Sequence, residues 1–219
     1  MHRIAEDLIG DINSSSYVGV GSGRTVLDLI EELSTLNVNQ SIWFVPSSSQ
    51  ILLKMEEKGF ATKMLPDRNS IQLYIDSLDQ IEEGSHHMIK GGGGALLREK
   101  ILMYSSERVV LLAQEKKFAE RLGVSCPVPV EISPFARWPV IKYLERLGGN
   151  PKIRKDSRGF PVFTENSNLI LDVYFDGITD AKGLEIEVKA QPGVIEVGLF
   201  TRKPSPIYRI RTDSFEKLF

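Results

Sequence analysis

Short apolar strands alternate with amphipathic helices along the first 122 residues, and this alternation restricts the fold more than any other feature of the sequence. The strands are apolar on both faces, which is typical of strands buried between helices in a parallel sheet. The sequence therefore predicts an α/β fold with a Rossmann-like, doubly wound, mostly parallel sheet. The predicted strands are at 17–20, 41–45, 61–65, 71–75 and 108–113, the predicted helices at 3–12, 25–33, 50–58, 95–104 and 117–122, and a loop is predicted at 76–90.

The pattern changes near Cys126, where a proline-rich turn is followed by strands and helices in a different order. One strand, a helix, two or three strands, a helix and a final strand predict a small α+β unit of the split-βαβ, ferredoxin-like type. We therefore expect an α/β domain made of residues 1–127 and 199–219 and a small domain at 128–198. The predicted strands of this part are at 130–132, 151–155, 160–164, 168–174 and 194–200, with helices at 135–147 and 180–190.

Composition excludes several classes of protein. Lys and Arg number 27 against 29 Asp and Glu, and the net charge of −2 argues against a nucleic-acid partner bound through a strongly basic domain. The single cysteine, Cys126, rules out an internal disulfide framework and fits a reducing cytoplasm. No apolar run approaches the roughly 18 residues that a membrane span needs. His86 and His87 are adjacent in a predicted loop without partners at ligand spacing, so no metal site is expected.

Two glycine clusters stand out, at 19–23 and at 91–94. The first lies between a predicted strand and a predicted helix, where free backbone N–H groups make an anion site. Ser22 and Thr25 add hydroxyl donors and Arg24 adds a positive charge, although a tight turn without a ligand would also explain the glycines. The spacing fits neither the dinucleotide fingerprint nor a P-loop.

Charged residues follow the predicted strands and flank the second glycine cluster. Asp76 and Asp79 come after a predicted parallel strand, beyond which ligands of such sheets bind. Lys90 could neutralise a developing oxyanion, and Glu99 could direct its carboxylate toward the loop if the helix begins near the glycines. Ordinary solvated loops and helix faces would explain these charges and Lys117 equally well.

Six segments in this order resemble the ribose-5-phosphate isomerase type A family and cover nearly the whole chain. The glycine-rich segment at 88–100, MIKGGGGALLREK, is the most specific of them. The others are VGVGSGRT at 18–25, DSLD at 76–79, PVEI with Phe135 and Ala136 at 129–136, NSNLILDV at 166–173 and PGVIEVGLF at 192–200.

This resemblance implies a cytoplasmic isomerase that interconverts ribose 5-phosphate and ribulose 5-phosphate in the pentose phosphate pathway, without metal or organic cofactor. It implies assembly as a homodimer or homotetramer. Carried over residue by residue, Glu99 falls on the catalytic base, Asp76 and Asp79 on carboxylates that assist ring opening, and Lys90 on the lysine that stabilises the enediolate. The implied substrate-binding residues are Ser22, Gly23, Arg24, Thr25, Gly91, Gly92, Gly93 and Lys117.

Several positions depart from the family pattern. Arg24 replaces a serine, Ser22 a threonine, Ser77 a glycine and Gln80 an acidic residue, and the segment before Lys117 also differs. These changes affect the binding rim, so they bear on substrate affinity and specificity rather than on reaction type. Two alternatives stay open on the sequence: an isomerase of another sugar phosphate, and a non-catalytic regulator that binds a sugar phosphate.

Overall fold

The computed structural model describes residues 1–64, 70–202, 206–212 and 214–218. Its strands are β1 Tyr17–Val20, β2 Trp43–Pro46, β3 Ile71–Ser77, β4 Gln80–Glu82, β5 Met88–Ile89, β6 Ser106–Gln114, β7 Phe118–Ala119, β8 Val128–Ile132, β9 Asn150–Ile153, β10 Leu169–Tyr174, β11 Val194–Val197, β12 Leu199–Phe200, β13 Ile207–Ile210 and β14 Phe215–Leu218. Its α-helices are α1 His2–Asn13, α2 Arg24–Leu33, α3 Ser49–Glu57, α4 Leu96–Ser105, α5 Arg137–Arg146 and α6 Ala181–Ala190, with 3₁₀ turns at Glu115–Lys117 and Pro134–Ala136.

The chain forms two compact units. The first contains Met1–Ser77, Arg98–Glu115 and Ser205–Phe219, and the second contains Leu78–Leu97 and Lys116–Pro204. Within the described residues, no helix has the length and apolar composition needed to cross a membrane.

A six-stranded sheet organises the first unit, in the order β2-β1-β3-β6-β13-β14. All neighbouring pairs are parallel except β13 and β14, so the predicted mostly parallel sheet is confirmed. Strand β1 lies between β2 and β3, with Val18 paired to Phe44 on one side and Leu73 on the other. The chain passes from β1 to β2 on one side and then returns to form β3 on the other side of β1. The strand order therefore reverses at the carboxyl end of β1, and ligands of such sheets bind at this switch point.

Helical spacing of apolar residues explains how the first unit buries its core. In α2, Val26, Leu29, Ile30 and Leu33 recur at intervals of three or four residues, so they lie on one face of the helix and are all buried. They belong to the same core cluster as Val18. Burying each such side chain contributes about 1.5–3 kcal/mol, which explains why this face is apolar throughout.

The second unit contains the predicted split-βαβ arrangement. Strands β8, β9, β10 and β11 pair in the order β11-β8-β10-β9, and every neighbouring pair is antiparallel. Helix α5 connects β8 to β9 and helix α6 connects β10 to β11, as in a ferredoxin-like fold. The apolar core of the unit includes Val130, Leu171 and Val197 from the sheet, and Val140 and Val188 from the helices.

A third sheet, absent from the sequence-based prediction, joins β7, β4, β5 and β12 in the second unit. Strands β4 and β5 lie in the stretch predicted as a loop at 76–90, and β7 lies where a helix was predicted at 117–122. The predicted strand at 194–200 divides into β11 and β12 at Gly198. Strands of two or three residues are too short to show a periodicity, so their pairing partners decide their conformation.

The predicted strand at 160–164 is wrong, and the described part of the predicted strand at 61–65 contains only a single bridge. The stretch 160–164 forms only isolated bridges, from Pro161 to Lys155 and from Phe163 to Leu169. Of the stretch 61–65, the described part contains one bridge from Thr62 to Phe44, and residue 65 lies outside the described residues.

The domain boundaries at 127/128 and 198/199 stay a prediction. The compact units divide the chain elsewhere, and residues 128–198 lie within the second unit together with 78–97 and 116–127. The third sheet accounts for the difference, because its four strands come from segments on both sides of 128–198 and belong to the second unit.

Candidate active site

The carboxylate of Asp76, near the end of β3, accepts hydrogen bonds from Ser22, Ser77 and Tyr74. It is completely buried. Its Oδ1 accepts the backbone N–H of Ser77 at 2.7 Å and that of Ser22 at 3.1 Å. Its Oδ2 accepts the hydroxyl of Tyr74 at 2.5 Å. Because a buried carboxylate is costly unless it is hydrogen-bonded, these three contacts explain how Asp76 is tolerated there and fix its orientation.

The turn after β1 requires glycine where it approaches Asp76. A Cβ at Gly21 would lie only 1.8 Å from Cγ of Asp76, which no real packing allows. Gly23 has φ of 105°, a conformation that side-chain-bearing residues rarely adopt, and it precedes the first residue of α2. The turn is therefore shaped to bring the N–H of Ser22 onto Asp76, at the switch point of the sheet.

Glu99 lies in the first turn of α4 and is almost completely buried, with 2% of its surface exposed. The hydroxyl of Ser22 donates to its Oε1. Ser22 therefore contacts both carboxylates, Asp76 through its N–H and Glu99 through its hydroxyl. Burial raises the pKa of Tyr74 well above its ordinary value, and the charges of Asp76 and Glu99 raise it further.

The second unit holds Asp79, Lys90 and the glycine loop. Oδ2 of Asp79 accepts the N–H of Gly92 at 2.7 Å, and a Cβ at Gly92 would lie 2.6 Å from Oδ1 of Asp79. The N–H of Lys90 donates to the carbonyl of Gly198 at 2.9 Å. The Lys90 side chain is buried, with Nζ 5.5 Å from the centre of the Phe200 ring. A buried ammonium group requires compensating contacts, and the face of the Phe200 ring supplies one of them.

Sequence reasoning missed Arg154, which holds the glycine loop from outside. Its guanidinium donates to the carbonyls of Gly91 at 2.9 Å and Gly92 at 3.0 Å. It also forms a bidentate pair with Asp172, with distances of 2.9 Å and 2.5 Å. Asp172 lies in one of the segments that carry the family resemblance, whereas no motif surrounds Arg154. Only the three-dimensional contact identifies this residue.

The structure places the predicted site residues in two groups. Contacts join Ser22, Asp76 and Glu99 in the first unit, and join Asp79 to Gly92 in the second. Arg24 is exposed at the start of α2, and Lys117 is half-buried at the end of a 3₁₀ turn. Gly23 and Thr25 are in the first unit, and Lys90, Gly91, Gly93 and Lys117 are in the second.

Two of the predicted departures from the family pattern have a visible role. The hydroxyl of Ser77 donates to the carbonyl of Ser22 at 3.1 Å, so it adds a second link between β3 and the turn. The buried amide of Gln80 accepts the N–H of Gly123 at 2.8 Å and donates to the hydroxyl of Ser125 at 2.9 Å. Among the described residues, no group of three or more His, Cys, Asp or Glu side chains is arranged to hold a metal ion.

Comparisons with known proteins identify the family of the chain. The family model of ribose 5-phosphate isomerase A (phosphoriboisomerase A) matches residues 43–213. The chain is 40% identical to ribose-5-phosphate isomerase A of Buchnera aphidicola over 96% of this chain and 93% of that protein. The corresponding protein of Methanococcus vannielii is 34% identical over 91% of this chain and 84% of that protein.

Solved structures show the same likeness. Ribose 5-phosphate isomerase A from Methanocaldococcus jannaschii has a TM-score of 0.90 and 31% identity, covering 99% of this chain and 96% of that one. A D-ribose-5-phosphate isomerase solved in complex with phospho-erythronic acid also has a TM-score of 0.90, with 29% identity and the same coverage of both chains. Similarity in sequence and in structure over nearly the whole chain shows that this protein belongs to the ribose 5-phosphate isomerase A family.

Proposed function

We propose that this chain interconverts ribose 5-phosphate and ribulose 5-phosphate by proton transfer through an enediolate. The observation that carries the proposal is the buried Glu99 carboxylate, held by the Ser22 hydroxyl beside the switch point of the sheet. Membership of the ribose 5-phosphate isomerase A family supports the substrate. The related enzyme solved with phospho-erythronic acid supports binding of a phosphorylated sugar acid or sugar.

Glu99 is assigned the role of the base. In the open-chain aldose it removes the proton from C2, and the electron pair forms the C1–C2 double bond while negative charge moves to O1. Returning the proton to C1 and moving the remaining hydroxyl proton between O2 and O1 gives the ketose. One carboxylate can serve both carbons because they are adjacent, and its Oε1 is fixed by Ser22.

The other predicted residues are assigned roles that match their chemistry. Lys90 supplies positive charge for the enediolate oxygens, and the N–H groups of the loop at 91–93 supply hydrogen bonds to them. Asp79 orients that loop through Gly92 and assists ring opening. The turn from Ser22 to Thr25 and the exposed Arg24 bind the phosphate, whose binding energy orients the reacting end of the sugar. Lys117 contacts the same substrate.

The test is Glu99→Gln, which keeps the size of the side chain and its capacity to accept from Ser22. General-base catalysis contributes about 10²–10⁴-fold, so kcat in a coupled isomerase assay should fall by that factor with sugar-phosphate binding retained. Exchange of the substrate C2 proton with solvent deuterium should be lost in parallel. The control is Glu57→Gln, an exposed glutamate of α3, which should behave as the unmodified chain.

The outcomes separate this function from its rivals. Near-normal turnover by Glu99→Gln would show that Glu99 is not the base. Tight binding of ribose 5-phosphate by the unmodified chain without C2 proton exchange would favour a regulator that only binds the sugar phosphate. Faster turnover of another pentose or hexose phosphate would identify an isomerase of a different substrate.

We also propose a cytoplasmic location and assembly as a homodimer or homotetramer. The single, half-buried Cys126 supports a reducing compartment. Assembly rests on the family resemblance, and light scattering on the purified protein measures it: a monomer across the working concentration range would contradict it.

A further inference from the structure

We propose that Tyr74 is a positioning residue for this reaction, acting through Asp76 and Ser22 on Glu99. The inference rests on the proposed function and deepens it. Four residues form one connected path: the Tyr74 hydroxyl donates to Asp76, Asp76 accepts the backbone N–H of Ser22, and the Ser22 hydroxyl donates to Glu99. Nothing in the sequence pattern distinguishes Tyr74 from an ordinary apolar residue of a buried strand.

Strand geometry places Tyr74 beside Asp76. Residues two apart in a strand lie on the same face, so the phenol stands next to the carboxylate. The tyrosine is completely buried, and its hydroxyl lies 2.5 Å from Oδ2 of Asp76. Oδ1 takes two backbone N–H groups, and the phenol adds a donor at the second oxygen, which restricts rotation of the carboxylate.

The glycines of β1 and its turn provide independent support. A Cβ at Gly19 would lie 2.9 Å from Cδ2 of Tyr74, and a Cβ at Gly21 would lie 1.8 Å from Cγ of Asp76. These two glycines therefore admit two side chains of β3. In the sequence motif, these glycines leave space for the side chains of Tyr74 and Asp76. This role is separate from any close approach of the backbone to the substrate phosphate.

The protonation state of the phenol agrees with a donor role. Burial and the neighbouring carboxylates raise the pKa of Tyr74 well above its ordinary value, so the hydroxyl keeps its proton throughout the working pH range. Asp76 is then the acceptor. Removing the hydroxyl takes one donor from Oδ2 of Asp76, which should shift the carboxylate, weaken its contact with the N–H of Ser22 and so move Oε1 of Glu99 from its reacting position.

The experiment compares Tyr74→Phe with a matched control, Tyr208→Phe. Both tyrosines are completely buried in the same sheet, and Tyr208 donates its hydroxyl to Asp7 instead. A displaced catalytic group costs up to about 100-fold, so we expect kcat of Tyr74→Phe to fall by about 10- to 100-fold. KM should change by less than about threefold, because the phosphate contacts are untouched. Tyr208→Phe should keep the kcat of the unmodified chain.

A purely structural role predicts a different result. In that case both variants lose thermal stability alike, and the folded fraction of each turns over normally. A kcat of Tyr74→Phe within about twofold of the unmodified chain would overturn the proposal. If Tyr74→Phe does not fold, Gly19→Ala places a Cβ 2.9 Å from the same ring, which must then shift, and this variant should lower kcat in the same way. Unchanged kcat in folded Gly19→Ala would then overturn it.

A double mutant tests the route. If Tyr74 acts through Ser22, then Ser22→Ala combined with Tyr74→Phe should lower kcat no further than Ser22→Ala alone, whereas independent sites would multiply their losses. Multiplied losses would overturn the route. Absence of isomerase activity in the unmodified chain would sink the proposed function instead. The positioning would then be decided by a crystal structure of Tyr74→Phe, in which an unmoved Asp76 carboxylate contradicts it and a rotated one supports it.

Discussion

Replacing Gly21 by alanine is the most direct test of how the turn after β1 is built. The new Cβ would lie 1.8 Å from Cγ and 1.9 Å from Oδ1 of Asp76. Carbon atoms in contact are about 3.5–4.0 Å apart, so the carboxylate or the turn must move by about 2 Å. Overpacking of this kind costs about 1–3 kcal/mol.

The displaced carboxylate also loses hydrogen bonds. Its contacts to the N–H groups of Ser22 and Ser77 cannot survive a 2 Å movement, and hydrogen bonds to charged groups contribute about 1.5–3 kcal/mol each. With one of the two re-formed, the expected loss in the free energy of unfolding is about 3–6 kcal/mol, a large share of the about 5–15 kcal/mol typical of a folded protein. For a chain of this size, the melting temperature should fall by about 6–24 °C.

Thermal unfolding followed by circular dichroism measures this change, and a coupled isomerase assay measures the accompanying loss of kcat, expected at about 100-fold. Gly10→Ala is the control, because a Cβ there meets no heavy atom within 4 Å and the residue lies in helix α1. That variant should be more stable by about 0.5–1 kcal/mol. A Gly21→Ala variant that melts with the unmodified chain and retains its kcat would refute the reasoning.

Three further predictions concern the other polar groups. Arg154→Lys keeps the charge but loses the bidentate pair with Asp172 and the hydrogen bonds to the carbonyls of the glycine loop, so KM should rise by about 10-fold. An unchanged KM would show that the glycine loop keeps its conformation without Arg154. Burial raises the pKa of Cys126 to about 12, with a further contribution from the charge of Asp79, so only about one thiol in 10⁴ is ionised at pH 8. A disulfide reagent should therefore modify the native chain far more slowly than the urea-unfolded chain, and equal rates would contradict this. Arg24→Ser should raise KM at low ionic strength by about 3- to 10-fold and less at high salt, whereas an equal KM at low salt would mean that Arg24 is only solvated.

The parts of the fold that the sequence predicted share one property. Strands β1, β3 and β6 and helices α1, α2 and α4 have enough consecutive residues to display an apolar run or a helical repeat. Strands β4, β5, β7 and β12 have only two or three residues each, and their conformation depends on backbone pairing with segments distant in the chain. No local pattern encodes such a pairing, which explains why a loop was predicted in place of β4 and β5 and a helix in place of β7.

The candidate site divides in the same way. Residue types and spacing pointed to Glu99, Asp76, Asp79 and Lys90 as candidates, and the family resemblance assigned their roles. The supporting residues were not predicted, because the sequence pattern indicates only a strand residue at Tyr74 and a surface charge at Arg154. A supporting side chain is defined by what it contacts, and its partners are decided by pairing and packing rather than by neighbours in sequence.

The sequence by itself determined the family, the mostly parallel sheet, the split-βαβ arrangement and the chemical groups available for proton transfer. These follow from local periodicity and from motifs whose residues are consecutive. Only the tertiary structure decided why Gly19 and Gly21 are glycines, because the Cβ atoms they lack would collide with Tyr74 and Asp76 on a neighbouring strand. The physical reason is that parallel pairing brings together backbone and side chains separated by more than fifty residues. The hydrogen bond between Ser22 and Asp76, for example, joins residues that are 54 positions apart in the chain.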